Sequence, residues 1–390
     1  GALIDVDLAG HVLVAAWLGG VRVHDLGLPR EPFVLRTASR AVRAIALLAD
    51  QRRLLVADWS GWFDQRPGSL VLLDAATGET LRRFLEPGQR AVDIATHPTE
   101  PIVYAWGNFG PDNDDAVLGA WNADTGERLW SRPVAAGFMH GLEVTDANRL
   151  ILKGAEVIDA RDGTKHDPLA GFRIVDSKRQ VAVLPGNRAL VLDRSDAEHR
   201  IVDLGTGMVE RRFALELPRR GDARLAVHPN GRLVAIAAID RPMAYVVDIE
   251  SGTLVAQPGP QGDRVYSVAF HPDGTRLATG SLDGLIRFFS VDTDAASSEG
   301  SFDLVGSIAA HDGVVRDLVW SDDGDTLYSA GTDGRTKRWS LETRRERLAD
   351  LRRRAAEAEV LDAWLARRVT EDGITTARGL LAQIDAHAGF

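Results

Sequence analysis

Three side chains that together can activate a hydroxyl nucleophile lie near the end of the chain: His311, Ser329 and Asp333. A serine gains nucleophilicity when a histidine takes its proton and a carboxylate orients that histidine. The hydrolase form places the serine on a strained strand-to-helix elbow, Gly-x-Ser-x-Gly. Ser329 stands instead in Leu327-Tyr-Ser-Ala-Gly331, without the first glycine and within a run that alternates like a strand. The trio points to a structural role. No pair among the ten histidines has metal-binding spacing such as His-x-x-x-His, and His97, His228 and His271 each precede a proline, as turn residues do. A phosphate-binding Gly-x-x-x-x-Gly-Lys-Ser/Thr loop is absent. The oxygen-bearing residues Asp112, Asn113, Asp114 and Asp115 lack the spacing and distal glutamate of a calcium loop. Neither a catalytic residue, a metal nor a cofactor is expected.

Two segments carry recognition chemistry instead. One contains Trp59, Trp62, Phe63 and Asp64; the other contains Trp106, Phe109, Asp112, Asp114 and Asp115. Aromatic anchors dominate interface energetics, and carboxylates beside them suit a cationic side chain. Both segments interrupt places where a tight turn is the rule, so they read as exposed binding loops for a protein or peptide partner. Replacing Trp62 and Phe109 with Ala should then abolish binding without unfolding the chain.

The elements that hold these residues repeat. Arg264-Val-Tyr-Ser-Val-Ala-Phe-His-Pro-Asp-Gly-Thr-Arg-Leu-Ala-Thr-Gly-Ser-Leu-Asp-Gly is followed by the same skeleton from Val314 to Leu341, and a weaker copy runs from Leu225 to Ile249. Each copy holds three short alternating runs separated by Pro-Asp-Gly-like and Asp-Gly turns, the pattern of antiparallel strands. A fourth run often follows Thr-Gly or Ser-Gly. Reading backwards gives eight sets, beginning near Leu3, Val42, Val92, Met139, Val181, Leu225, Val265 and Val315. The sets near Met139 and Val181 are the least regular, and merging one of them leaves seven. Their spacing suits four-stranded propeller blades of about 40–45 residues.

On these residues the chain resembles the WD-repeat β-propeller family, most specifically over residues 222–342. The resemblance implies an all-β propeller of eight, alternatively seven, four-stranded blades. It implies that His311, Ser329, Asp333 and Trp339 form a hydrogen-bonded relay stapling the last blade. The preceding unit keeps Ser281 and Asp283 but has Phe288 or Phe289 near the tryptophan position and lacks the histidine. Leu129-Trp130 after Asp124-Thr-Gly-Glu is similar to quinoprotein-type propellers.

Ring closure needs a complete last blade. Pro32-Phe-Val-Leu-Arg36 reads as the fourth strand of the first set, which leaves the last set one strand short. That strand is expected from residues upstream of Gly1, or the last blade has three. With no initiator methionine, the chain reads as the C-terminal part of a longer bacterial protein. Residues 1–342 form the propeller and 343–390 a helical extension. In the latter Leu348, Leu351, Ala355, Ala358, Leu361 and Leu365 make one apolar stripe and residues 375–387 a second helix, together a hairpin.

Composition narrows the partner. The net charge is −10 and argues against nucleic acid. The run of arginines at 344–354 is interspersed with acids, as a solvated helix face would be. The helical segment is nearly neutral, so the negative charge belongs to the propeller and favours a basic partner. No apolar run can span a bilayer, and an absence of cysteine fits the reducing cytoplasm. The expectation is a non-catalytic interaction or sensor module that binds a protein or peptide, or an upstream domain of its own chain. The alternative is a catalytic propeller, quinoprotein-like or lactonase-like, with a metal or cofactor in its central channel.

Overall fold

The computed structural model describes strands between Leu3 and Ser340. Residues 3–9, 12–17 and 20–25 are described as backbone alone. Several connecting segments, chiefly 59–67, 109–115, 135–141, 166–178, 194–197, 216–222 and 292–301, and residues 341–390 lie outside the described residues. The expected helical hairpin at 343–390 falls there. Every described element is a strand, and no helix among the described residues is long and apolar enough to cross a membrane.

Short alternating runs split by glycine turns can satisfy their backbone only by pairing, and here they pair as successive antiparallel meanders. Blade 1 comprises Val42–Leu47, Arg53–Asp58, Ser69–Asp74 and Thr80–Arg83. Blade 2 comprises Arg90–Thr96, Ile102–Asn108, Ala116–Asn122 and Arg128–Pro133. Blade 3 has Leu142–Val144, Arg149–Leu152 and Glu156–Asp159, and among the described residues one further bridge joins Ile158 to Lys165. Blade 4 runs from Arg179–Leu184 to Val209–Ala214, blade 5 from Ala223–Val227 to Thr253–Ala256, and blade 6 from Val265–Phe270 to Leu304–Ala309. Blade 7 contains Val315–Trp320, Thr326–Gly331 and Arg335–Ser340.

The fourth strand of blade 7 is Phe33–Thr37, which pairs antiparallel with Arg335–Ser340 in the register Arg335 to Thr37 and Lys337 to Val34. This corrects the sequence expectation twice. The Pro32–Arg36 segment completes the last set rather than the first, so blade 7 is not short of a strand. Leu3–Ala9, Val12–Trp17 and Gly20–Asp25 form a three-stranded sheet of their own. The ring therefore has seven blades, not eight. The two irregular sets near Met139 and Val181 are both genuine blades, and the miscounted set is the first.

Packing gives the same number. Seven apolar clusters each join two consecutive blades. One joins blade 7 to blade 1 through Leu35, Tyr328 and Ala330 against Val42, Ile45 and Val56. Each cluster interleaves side chains from the facing sheets, so a blade is apolar on both faces and cannot bury either alone. That is why a closed ring is the stable form and why innermost strands follow one another round to Val42–Leu47 beside Val315–Trp320. Gly107 shows how tight the sheets are. A Cβ there would lie 1.9 Å from the Arg90 carbonyl oxygen.

Candidate functional site

The strand register defines two edges of the ring. Val42 faces Asp58 and Asp58 faces Ser69, while Arg90 faces Asn108 and Asn108 faces Ala116. The starts of the innermost strands thus share one edge with the ends of both aromatic–acidic loops. Trp59, Trp62, Phe63, Asp64, Phe109, Asp112, Asp114 and Asp115 lie outside the described residues. Trp106 does not belong to an exposed loop. It sits within Ile102–Asn108, 1% exposed, packed with Tyr104, Leu118 and Leu142. Its position in an alternating run, with Val103 and Ala105 as neighbours, was the available signal: the strand continues three residues beyond the alternation's apparent end.

The innermost strands carry bulges at this edge. Register slips by one between Val42 and Ala44, between Val265 and Ser267, and between Val315 and Asp317. A bulge leaves one residue unpaired and re-aims its side chain. The bulged residues are Arg43, Tyr266 and Arg316, and the Arg316 guanidinium lies 5.0 Å from the centre of the Tyr266 ring. Blades 6 and 7 thereby present a cation stacked on an aromatic at the start of the channel. The bulges thus carry Arg43, Arg316 and Tyr266 on a chain whose net charge is −10.

Deeper in, carboxylates from different blades converge, a feature that sequence could not show. Arg224 of blade 5 reaches Asp93 of blade 2 at 3.6 Å. Asp317 of blade 7 is close enough to feel both charges. Burial pushes the Asp317 carboxyl above its ordinary value, and the Asp93 charge adds to that, against the opposing pull of Arg224 and of backbone N–H donors. Those donors fix its place. Asp317 accepts from the Ile45 N–H of blade 1 at 2.9 Å and from Leu318 at 3.1 Å. Glu143 of blade 3 likewise accepts from Val183 of blade 4 at 2.8 Å, and Ser267 of blade 6 donates to the Val315 carbonyl of blade 7 at 3.2 Å. Asp317, Glu143 and Ser267 thus each hold one inner strand to the next. Among the described residues no three His, Asp or Glu side chains are grouped to hold a metal.

The relay residues meet in blade 7. His311 Nδ1 lies 2.9 Å from Asp333 Oδ1, and His311 Nε2 lies 2.8 Å from Ser329 Oγ. Trp339 Nε1 donates to the same Oγ at 2.9 Å. One proton assignment satisfies every atom. Nδ1–H donates to Asp333, the serine hydroxyl donates to Nε2, and the indole donates to the serine. It requires a neutral imidazole, and burial does hold His311 below its ordinary value against the pull of Asp333. The Ser329 oxygen, 0% exposed, receives a tryptophan and faces no cleft, which leaves no room for an acyl group.

In blade 6 the register puts Thr279, not Ser281, at the place of Ser329, because Val265 faces Ser281 as Val315 faces Gly331. Gln261 replaces the histidine and accepts from the Thr279 hydroxyl at 3.0 Å. Ser281 instead donates to the Asp263 carbonyl at 3.0 Å, and Asp283 pairs with Arg287 at 2.7 Å. The relay therefore persists with a shorter chain of partners that residue identity conceals.

The three pre-proline histidines also do more than turn the chain. His228 Nε2 lies 2.9 Å from the Gly274 carbonyl oxygen of the next blade, with its ring edge-on to Phe270 at 4.9 Å. His271 repeats this one blade later, on Gly324 at 3.0 Å and Trp320 at 4.8 Å. His97 reaches Asn148 of blade 3 at 2.5 Å. These bonds clasp successive first turns on the edge opposite the bulges.

Comparison with known proteins locates the resemblance. The model described as "WD domain, G-beta repeat" matches residues 252–290 and 302–340. A "WD repeat-containing protein 91 homolog" of Dictyostelium discoideum is 26% identical over 132 residues, covering 33% of this chain and 16% of that protein. The human "Echinoderm microtubule-associated protein-like 3" is 30% identical over 114 residues, 29% of this chain and 12% of that one. A "Probable cytosolic iron-sulfur protein assembly protein 1" of Kluyveromyces lactis is 27% identical over 117 residues, 29% of this chain and 35% of that one. The chain thus matches a small part of each of these proteins.

Proposed function

The chain belongs to the WD40-repeat β-propeller family, and we propose from this that it is a non-catalytic scaffold whose bulged edge holds a protein or peptide partner. The observation that carries this is the pairing of Tyr266 with Arg316 at the bulges, on the edge from which both aromatic–acidic loops leave. Seven sheets packed face to face hold these positions fixed, which lowers the ordering cost of binding. In this reading Trp59, Trp62, Phe63, Asp64, Phe109, Asp112, Asp114 and Asp115, in the segments that follow Asp58 and Asn108, also contribute to the contact. Arginines at the bulges together with acids in the adjoining sequence segments suit a partner of mixed charge, not the uniformly basic one that the net charge alone suggests.

The relatives' printed names refer to microtubule association and to iron–sulfur protein assembly. Different tasks on one architecture support a binding role more than a shared reaction. A channel whose carboxylates are engaged by backbone N–H groups and by Arg224 disfavours the catalytic alternative. We place the protein in the cytoplasm of a bacterium, on its lack of cysteine and its arginine- and alanine-rich composition, as a sensor or scaffold region of a larger assembly.

The test is partner retention in affinity purification with Tyr266→Ala plus Arg316→Glu, and separately with Trp62→Ala plus Phe109→Ala. Both should lose the partner while the circular dichroism of the folded chain is kept. Retention by both folded variants would refute the proposal.

A further inference from the structure

The closure seam holds a cleft on the edge opposite the bulges. Its volume is about 420 Å³, within the range of ligand sites. Blade 1 lines it with Gln51, Arg52 and Asp74, and blade 7 with Tyr328, Arg338 and Ser340.

Its hydrogen-bonding groups are unequally used. The Gln51 amide is spent, donating to the Leu48 carbonyl and accepting from the Asp322 N–H. Asp74 turns one oxygen to the N–H groups of Ala76 and Thr77 and to the Thr77 hydroxyl. Arg338 gives one nitrogen to the Ala76 carbonyl at 3.0 Å, but its buried Nε has no partner among the described residues. Arg52 is exposed and makes no ion pair among the described residues. Two guanidiniums therefore face one carboxylate whose charge is already shared with three donors. Among the described residues Arg338 uses only one terminal nitrogen and Arg52 is exposed, and a carboxylate is the group that guanidinium geometry fits best. The Arg338 guanidinium also stacks on Phe33 at 5.3 Å, and that phenylalanine is 46% exposed. A cationic cleft thus adjoins an apolar shelf.

We propose that the seam cleft docks an internal acidic segment of a protein partner, with one Asp or Glu carboxylate between Arg338 and Arg52 and a neighbouring apolar side chain on Phe33. This site is separate from the bulged edge and does not depend on it.

The experiment titrates the full chain, labelled with 15N-arginine, with N-acetyl-Glu-Leu-amide and follows the arginine Nε–H resonances. Saturable shifts of the Arg52 and Arg338 signals are expected. Arg52→Gln should weaken binding about tenfold, and so should replacing the peptide glutamate by glutamine, as loss of one charge-assisted contact implies. Arg338→Lys, which keeps the charge and the fold, should weaken it while leaving the Arg52 signal responsive. Three results would each overturn the proposal: no saturable shift, equal binding of the glutamine peptide, or inorganic phosphate or a peptide with only a terminal carboxylate binding as well as the glutamate peptide. Because the bulged edge is not probed, none of these results bears on the scaffold role.

Discussion

Replacing Ser329 with alanine removes one oxygen and strands two buried groups. The Trp339 indole N–H loses its acceptor at 2.9 Å, and His311 Nε2 loses its partner at 2.8 Å. The site is closed: Ser329 is 0% and Trp339 3% exposed, so water cannot substitute. Each unsatisfied buried group costs about 1–3 kcal/mol, giving about 2–6 kcal/mol in all. The cost should be local, because the relay ties together three segments of one blade. Hydrogen exchange read by mass spectrometry on peptides from 310–340 measures the opening free energy of that blade directly. Its protection should fall at least about thirtyfold, while blade 5 changes little. Adding Trp339→Phe removes one stranded donor, so the double variant should recover about 1 kcal/mol relative to simple addition. A loss below about 1 kcal/mol, or an equal loss in every blade, would refute the reasoning.

The relay also predicts a pH effect. Burial holds folded His311 below its ordinary value of about 6.5. Its contribution is therefore complete above that value and declines as pH falls from about 6.5 through the depressed folded pKa. Blade 7 protection, corrected for intrinsic exchange, should fall in that window more than blade 5 protection does. At Asp317 the sign reverses, because a raised carboxylate opposes folding while ionised. Asp317→Asn keeps an acceptor for Ile45 and should be at least as stable as wild type in urea at pH 7, the advantage shrinking as pH falls from the raised folded pKa and gone below the ordinary value of about 4. Gly324 has φ +74°, and a Cβ there would lie 2.4 Å from the His271 ring. Gly324→Ala should cost about 1–3 kcal/mol in urea unfolding. His271→Ala should cost about 1–3 kcal/mol by leaving the Gly324 carbonyl short of its partner.

Strand identity was legible because each blade repeats the same turns. Pro272-Asp-Gly274 and Asp283-Gly284 mark the ends of runs that the structure pairs as Val265–Phe270, Arg276–Ser281 and Leu285–Ser290. The fourth strand from Phe33 was legible as a strand but not as part of blade 7. Alternation reports which face is buried and not which sheet is joined, and Phe33 pairs with a residue some three hundred positions away. The same limit hid the channel, since Asp93, Arg224 and Asp317 lie in three blades and share no local pattern. Trp106 misled because loop and strand share an apolar residue at their border. In the relay His311 was visible from its motif, whereas Gln261 and Thr279 were not, because amide and hydroxyl keep the contact while changing the letters.

Site-specific photo-cross-linking in the cell of origin tests the scaffold role most directly. A photoreactive phenylalanine replaces Tyr266 on the bulged edge, Asp273 on the opposite edge, or Leu254 on an outermost strand. One discrete cross-linked protein at position 266, absent at position 254 and lost on adding Arg316→Glu, is the predicted result. Cross-links of equal strength at all three positions, or none at position 266, would contradict it.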